Sequence, residues 1–193
     1  VRLRRAATDH RRFWDAMDHL DTEALHRIET ELGRRMVTEF GLDLSGLVLD
    51  MTNFATYIDT GNERAPIAQR GKGKQKRTDL RLVGLALVLP RDGGVPVISH
   101  AYPGDRPDVT QFSTVVDELV ARYRDLVAGV ESLTVVYDAG QNSGDNHAVV
   151  EAHGIGFVGS LPPSDHPDLL AIPDRDFRPV DGDRYPGLRY VDT

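Results

Sequence analysis

Three apolar segments follow one another between residues 46 and 102, and this succession constrains the fold most strongly. The segments cover residues 46–58, 80–90 and 95–102, and their β-branched and aromatic side chains favour strands. Residues 91–94 contain two adjacent glycines and predict a tight hairpin turn between the second and third strands. We therefore expect the sheet to open with strands that are consecutive in sequence, which favours antiparallel pairing.

The second half of the chain alternates helix and strand. Residues 108–127 have a helical apolar pattern with Asp108 as candidate N-cap, and the apolar run 133–137 is typical of a buried central strand. A helix at about 143–153 and a strand at 156–160 follow. An antiparallel opening followed by parallel crossovers predicts an α/β fold, a ribonuclease-H-like mixed sheet flanked by helices. A flavodoxin-like fold would alternate strand and helix from the start, so it fits less well.

A short helical segment precedes the sheet. Apolar residues at spacings of three and four predict two helices within residues 8–40, and Gly41 fits the end of the second. The candidate N-caps are Thr8 or Asp9 for the first helix and Asp21 or Thr22 for the second. Trp14 lies on the first helix and is expected to pack in the core rather than to stack on a base.

The composition shows no sign of export or membrane insertion. Cysteine is absent, which excludes disulfides and thiolate metal sites and fits a cytoplasmic protein. No apolar run approaches the ~20 residues of a membrane-spanning helix, and the basic start lacks the apolar region of a signal peptide. We predict an N-terminal helical segment at 1–45, a folded core at 46–161 and an irregular tail at 162–193 that begins a truncated region.

Charge is distributed unevenly along the chain. The net charge of -7 argues mildly against a simple nucleic-acid binder, but residues 1–81 hold 15 Lys/Arg against 13 Asp/Glu. Residues 64–81 alone carry seven basic side chains and one acid, Asp79. The polar, glycine-bearing stretch 59–80 is expected to be a mobile loop. Such a basic run is usually an ordinary solvated surface, and the alternative is that it holds a phosphate backbone.

Two aspartates occupy positions where a charge is unexpected. Asp50 interrupts the first apolar strand, and Asp138 ends the short strand at 133–137. If these strands are neighbours, the carboxylates converge, and a divalent cation would relieve their repulsion. Magnesium favours a few carboxylates with water and phosphate, and two such ions can promote phosphodiester cleavage. The structural alternative is that Asp138 caps the next turn, while Thr52 or Thr56 satisfies Asp50.

Six segments between residues 45 and 161 resemble a known family when they are taken in order. They are residues 50–54, 71–80, 91–96, 102–108, 135–140 and 153–159. The first resembles an Asp-x-Thr-x-Phe strand, the second a Gly-x-Ser-Lys-x-x-Arg-x-Asp-Leu segment, and the fifth a Val-x-Asp-Arg-Gly segment. These motifs are similar to those of bacterial insertion-sequence DDE transposases, in the hairpin-forming branch with a Tyr-Arg-Glu-Lys motif around the final acid.

The resemblance implies a DNA transposase catalytic core, an enzyme that cleaves and transfers strands at insertion-sequence ends with Mg²⁺ (or Mn²⁺) as cofactor. It makes Asp50 and Asp138 the first and second catalytic, metal-binding acids. Its partner would be double-stranded DNA, both element ends and target, and a homodimer is compatible because transposition generally requires a paired complex. The DNA-binding candidates in the basic loop are Arg70, Lys72, Lys74, Lys76 and Arg77.

The chain departs from the family pattern at the third acid. Ala139 follows Asp138 where the family often has arginine, no glutamate follows Glu151, and no Tyr-x-x-Arg-x-x-x-Glu pattern occurs. We therefore expect the catalytic core to be incomplete, through a cut or through decay of the gene. Two other hypotheses stay open. One is an inactive DNA-binding or dimerisation remnant of a transposase, and the other is an unrelated ribonuclease-H-like nuclease that uses a tail aspartate, Asp181, Asp183 or Asp192.

Overall fold

The computed structural model describes residues 9–73, 76–91, 94–126, 132–160 and 163–193. The chain forms two compact units, Val1–Gly159 and Ser160–Thr193, which we describe separately. The predicted division into three regions, with a boundary at 161/162, stays a prediction, and residues 161 and 162 lie outside the described residues.

The described part of the first unit contains four α-helices and five strands. The helices are α1 (His10–Met17), α2 (Thr22–Phe40), α3 (Asp108–Leu126) and α4 (Gly144–Ala152). The strands are β1 (Gly46–Thr56), β2 (Arg81–Pro90), β3 (Ile98–Pro103), β4 (Thr134–Tyr137) and β5 (Gly156–Val158). Strand β3 begins three residues later than predicted. Residues 92 and 93 of the predicted hairpin turn and residue 127 of the predicted helix lie outside the described residues.

The five strands form one mixed sheet in the order β3-β2-β1-β4-β5. Strand β1 pairs antiparallel with β2, and β2 pairs antiparallel with β3. On its other side β1 pairs in parallel with β4, and β4 pairs in parallel with β5. This order and these directions confirm the predicted ribonuclease-H-like fold, and they place the first and fourth strands side by side as expected.

The core lies on one face of the sheet. Leu47, Leu49 and Met51 of β1 point to this face and are buried with Phe112 and Leu119 of α3. Alternate residues of β1 point the other way because successive side chains of a strand alternate between faces. This second face, which we call the open face, carries apolar side chains that stay partly exposed, namely Val48, Phe54, Val136 and Val158.

Helix α2 is held to the sheet and to α3 by a partly buried charged cluster. Arg122 of α3 forms an ion pair with Glu29 of α2, and it donates to Glu118 at 3.2 Å and to the Ser99 carbonyl at 2.8 Å. The Ser99 hydroxyl donates to Glu29 at 2.6 Å. His100 of β3 also pairs with Glu118. A single guanidinium thus joins α2, α3 and the edge strand β3.

The two N-terminal helices begin as predicted. The carboxylate of Asp9 accepts the Arg11 N–H at 3.0 Å, and that of Asp21 accepts the Ala24 N–H at 2.7 Å. Gly41 ends α2 with a left-handed φ of 61°, a conformation that glycine adopts without steric cost. The expected packing of Trp14 is wrong, because its side chain is 62% exposed and α1 buries no residue. Helical periodicity correctly predicts that α1 has an apolar face, but it does not show whether another element covers that face.

The stretch 59–80 was predicted to be a free loop, yet part of it packs on the sheet. Ala68 is fully buried, and Gln69 forms a β-bridge with Leu82. Arg81 is buried and donates to the carbonyl oxygens of Asp59 and Asn62, at 2.9 and 3.1 Å. Backbone carbonyls of the loop are thereby satisfied by a side chain from β2, which composition alone could not indicate.

The second unit consists of short elements, in line with the absence of a predicted core element there. They are 3-10 turns at Pro163–Asp165 and Asp174–Asp176, α5 (Pro167–Leu170), and a two-stranded antiparallel ladder of β6 (Arg178–Pro179) and β7 (Arg189–Tyr190). No side chain that the structure describes in this unit is buried. Across the described parts of both units, no helix is both long and apolar enough to cross a membrane.

Candidate active site

The register of the sheet brings Asp50 and Asp138 to adjacent positions. Leu49 of β1 is paired with Tyr137 of β4, and each aspartate is the next residue along its own strand. Because β1 and β4 run in parallel, Asp50 and Asp138 both lie one residue beyond the Leu49–Tyr137 pair, on neighbouring strands about 4.8 Å apart. Leu49 and Tyr137 are buried, so the alternation of the strand directs Asp50 to the open face.

Both carboxylates are exposed, which corrects one premise of the sequence argument. Asp50 was expected to be a charge inside a buried strand, and β4 was expected to be buried on both sides. Among the described residues, the apolar side chains that alternate with the core positions of β1 and β4, such as Val48 and Val136, are partly exposed. The aspartates therefore pay little desolvation cost as charged groups.

The two aspartates differ in their hydrogen bonds. Within the described residues, the Asp50 carboxylate has no hydrogen-bond or ion-pair partner. The Asp138 carboxylate accepts the N–H of Ala139 at 2.5 Å and caps the 3-10 turn Ala139–Gln141, as the structural alternative predicted. One N–H bond leaves most of the acceptor capacity of a carboxylate free.

The residues present suit a hard divalent cation. Two neighbouring carboxylates on an open surface are a donor set that Mg²⁺ or Mn²⁺ accepts, with water and substrate oxygens completing the coordination. Among the residues the structure describes, no group of three or more His, Cys, Asp or Glu side chains has metal-binding geometry. The pair could thus anchor a cation whose other ligands are water and phosphate.

A buried hydrogen-bonded tyrosine braces β1 beside Asp50. The Tyr102 hydroxyl donates to the Asp108 carboxylate at 2.8 Å and lies 3.3 Å from the Thr52 carbonyl of β1. Burial raises the pKa of Tyr102 above its ordinary value, and the nearby charges of Asp108 and Asp50 raise it further, so the hydroxyl stays protonated. Asp108 was predicted to be the N-cap of α3. It is instead the first residue of that helix, and its carboxylate accepts a hydrogen bond from the Tyr102 hydroxyl.

The basic segment runs beside the same strand. A Cβ on Gly73 would lie 3.2 Å from the Asn53 side chain and 3.0 Å from Leu82, so the segment passes close to β1 three residues beyond Asp50. Arg70, Lys72 and Lys76 are exposed there. Lys74 lies outside the described residues. Asn53 alternates with Asp50 along β1, so this contact of the segment lies on the face opposite to the Asp50 side chain.

Two cations of this segment are already engaged. Arg77 forms two hydrogen bonds with Asp79, at 2.8 and 2.7 Å, and the Arg77 guanidinium lowers the pKa of Asp79 to about 2. Arg81 is buried against loop carbonyls. Arg77 therefore offers a phosphate less net charge than Lys72 or Lys76 does, and Arg81 serves the structure of the loop.

Two residues near the site were not singled out from the sequence. Tyr102 and Asn146 are both buried, and each makes hydrogen bonds that connect the strands or turns carrying an aspartate to α3. Their amino-acid types are ordinary for strand and helix, so composition gives no signal. Tyr102 and Asp108 lie on either side of the turn that begins with Pro103 and Gly104, and their contact across this turn is the one feature that the sequence could have suggested.

Comparison with known proteins yields similarity of fold only. No family model matches the chain, and no curated protein matches it. A Mos1 transposase paired-end complex with the left transposon end aligns with a TM-score of 0.43 at 11% identity, over 78% of this chain and 46% of that one. A piggyBac transposase synaptic complex with hairpin DNA gives 0.41 at 15% identity, over 70% and 27%. The catalytic domain of Mos1 mariner transposase gives 0.38 at 10% identity, over 90% and 77%. The chain spans about half of the Mos1 chain in the paired-end complex.

Proposed function

We propose that this chain is the catalytic core of a metal-dependent DNA transposase of the bacterial insertion-sequence kind, in the hairpin-forming DDE branch. The observation that carries the proposal is the adjacency of Asp50 and Asp138 on the open face of a ribonuclease-H-like sheet. The six ordered segments that resemble the family support the same assignment. Its DNA would be the ends of the element and the target in the bacterial cytoplasm, and a homodimer would pair two ends.

In this proposal Asp50 and Asp138 hold Mg²⁺ or Mn²⁺. The cation, when bound, would supply Lewis-acid activation of a water or 3′-hydroxyl and neutralise charge at the phosphate. The chain's own residues bind and orient: Asp138 stays fixed by the Ala139 N–H, and Tyr102 braces β1 through the Thr52 carbonyl. Lys72 and Lys76 would contact backbone phosphates, which positions DNA without reading its sequence. Arg70, Arg77 and Lys74 are the remaining candidates for such contacts.

A second candidate function is a transposase remnant that binds DNA without cutting it. It is kept because, among the described residues, no group of three or more His, Cys, Asp or Glu side chains has metal-binding geometry. The two candidates agree on DNA binding through the basic segment and differ only in chemistry.

A nicking assay separates the two. The chain is incubated with supercoiled plasmid and Mn²⁺, and the formation of nicked circles is followed for the wild type, Asp50→Asn, Asp138→Asn and the control Asp105→Asn. Asp105 is an exposed acid in the turn after β3. The catalytic proposal expects nicking by the wild type and the control, with at least a hundredfold loss in each of the other two variants. DNA binding without nicking in all four proteins would favour the remnant, and equal nicking in all four would refute a role of the two aspartates.

A further inference from the structure

The side chain of Asn146 makes two hydrogen bonds beneath the turn that follows Asp138. Asn146 lies in the first turn of α4 and is only 5% exposed. Its side-chain Nδ2 donates to the carbonyl oxygen of Gln141 at 2.7 Å and to that of Val109 at 3.1 Å. One amide group therefore links the 3-10 turn Ala139–Gln141 to the first turn of α3.

The 3-10 turn Ala139–Gln141 is hydrogen-bonded to Asp138 itself. The Gln141 N–H donates to the Asp138 carbonyl at 3.1 Å, and the Ala139 N–H donates to the Asp138 carboxylate at 2.5 Å. Displacing Gln141 would therefore shift both the main chain and the carboxylate of Asp138. Val109, the other acceptor, directly follows Asp108. The Asp108 carboxylate accepts a hydrogen bond from the Tyr102 hydroxyl, which also lies against the Thr52 carbonyl of β1.

The two carbonyl oxygens that Asn146 contacts share one amide nitrogen as donor. Removing the Asn146 amide would take away the side-chain donor of the Gln141 carbonyl, whereas Val109 lies within α3 and its carbonyl keeps the intrahelical bond of that helix. Only a group with two N–H donors can satisfy both carbonyls, and an ionised carboxylate of the same shape has none.

We propose that Asn146 is the positioning residue of Asp138, and that it sets the orientation of this carboxylate toward a divalent cation. The inference rests on the proposed function, in which Asp138 holds that cation. Groups that orient metal ligands typically change metal affinity by 10- to 100-fold when they are mutated.

The first readout needs no metal. In the metal-free chain, the Ala139 amide resonance reports the hydrogen bond to the Asp138 carboxylate. Asn146→Asp keeps the shape of the side chain and removes its donors, so the Ala139 amide proton should move upfield. The matched control is Ser143→Ala, which removes the N-cap hydrogen bond that the Asn146 N–H donates to the Ser143 hydroxyl oxygen at the start of the same helix. It should leave the Ala139 resonance unchanged.

The second readout is the affinity for Mn²⁺, measured by electron paramagnetic resonance of the free ion. Asn146→Asp should weaken Mn²⁺ binding at least tenfold relative to Ser143→Ala. If Asn146→Asp fails to fold, Asn146→Ser, which keeps one donor, should give a smaller loss of the same kind.

The outcomes distinguish this inference from the proposed function. If the wild type binds no Mn²⁺, the metal site fails, and the Ala139 resonance still decides whether Asn146 orients Asp138. If the wild type binds Mn²⁺ but Asn146→Asp matches Ser143→Ala in affinity, or if the Ala139 resonance is the same in both variants, the positioning role is overturned.

Discussion

At the scale of single residues, the surroundings of each charge decide what it can bind. Asp50 and Asp79 are both exposed acids, but Asp79 is held by two hydrogen bonds from Arg77, whereas Asp50 has no such partner in the described chain. An acid already paired with a guanidinium is a poor cation ligand, because it would have to exchange one positive partner for another. This contrast makes Asp50, rather than the acid of the basic segment, the candidate metal ligand.

The pairing of Asp79 gives a prediction at the same scale. Arg77 lowers the pKa of Asp79 from 3.8 to about 2, so titration by carboxyl-carbon NMR should give a midpoint near 2. Since the folded-state pKa is lowered, the stabilisation by this pair is present above pH 3.8 and is lost as the pH falls through about 2. Arg77→Gln should return the midpoint toward 3.8, and the same midpoint in both proteins would contradict the pairing.

At the scale of elements, the attachment of α2 depends on a few side chains. Its contact with α3 and β3 includes the ion pair of Arg122 with Glu29, together with the close approach of Gly33 to Leu126 and Val97. A Cβ at Gly33 would meet Leu126 at 2.9 Å. Small and charged residues therefore contribute to the attachment beside Met36 and Val37, which pack against the core, while Leu25 and Leu32 remain exposed.

The anchoring role of Arg122 can be tested with a matched pair of variants. Arg122→Met removes the partner of two partly buried carboxylates and should lower the free energy of unfolding by about 2–4 kcal/mol. Arg35→Met removes the exposed pair of Arg35 with Glu31 within α2 and should cost less than about 0.5 kcal/mol. Urea unfolding of the two variants measures both values, and an equal effect would show that the Arg122 cluster does not anchor the helix.

Most elements could be predicted from the sequence, because their patterns are local. Caps at Asp9, Asp21 and Gly41 and the apolar strands follow from residue type and spacing. The exposure of Trp14 and of Asp50 could not be predicted, since an apolar pattern shows that a face favours burial but not whether another element covers it. The hydrogen bonds of Asn146 and Arg81 join residues far apart along the chain, and no local pattern encodes them.

The candidate site was predictable only in part. The predicted strand order already put Asp50 and Asp138 on neighbouring strands. In the structure each follows one residue of the Leu49–Tyr137 pair of β1 and β4. Their roles as metal ligands and those of the basic residues stay predictions. The support around them, Tyr102 and Asn146, was missed because both are ordinary residues whose contacts arise only in the folded chain.

At the scale of the whole molecule, a net charge of -7 has to be reconciled with the proposed binding to DNA. Salt screens charges more than about 10 Å away, so the local cations near β1 matter more than the total. Lys72 and Lys76 are exposed beside that strand, while much of the negative charge lies later in the chain, where residues 82–193 hold 17 acids and 8 basic residues.

The salt dependence of DNA binding tests this view. Each phosphate contact contributes about 0.9 to the slope of log K against log salt, so the double variant Lys72→Gln and Lys76→Gln should reduce the slope by about 2. The same two-charge change at Arg175 and Arg178, which are exposed in the second unit, should leave the slope nearly unchanged. Equal slopes for the wild type and the lysine variant would exclude these side chains from the DNA contact.

The most direct test of the central claim is a calorimetric titration of Mn²⁺ into the wild type and into the double variant Asp50→Asn and Asp138→Asn. The control is Asp15→Asn with Asp18→Asn, which removes the same charge from exposed acids of the N-terminal segment. We expect saturable binding in the wild type and the control and its loss in the site variant, because both carboxylates would hold one cation. Identical titration curves for all three proteins would contradict the account and leave the chain with the fold but without the metal site.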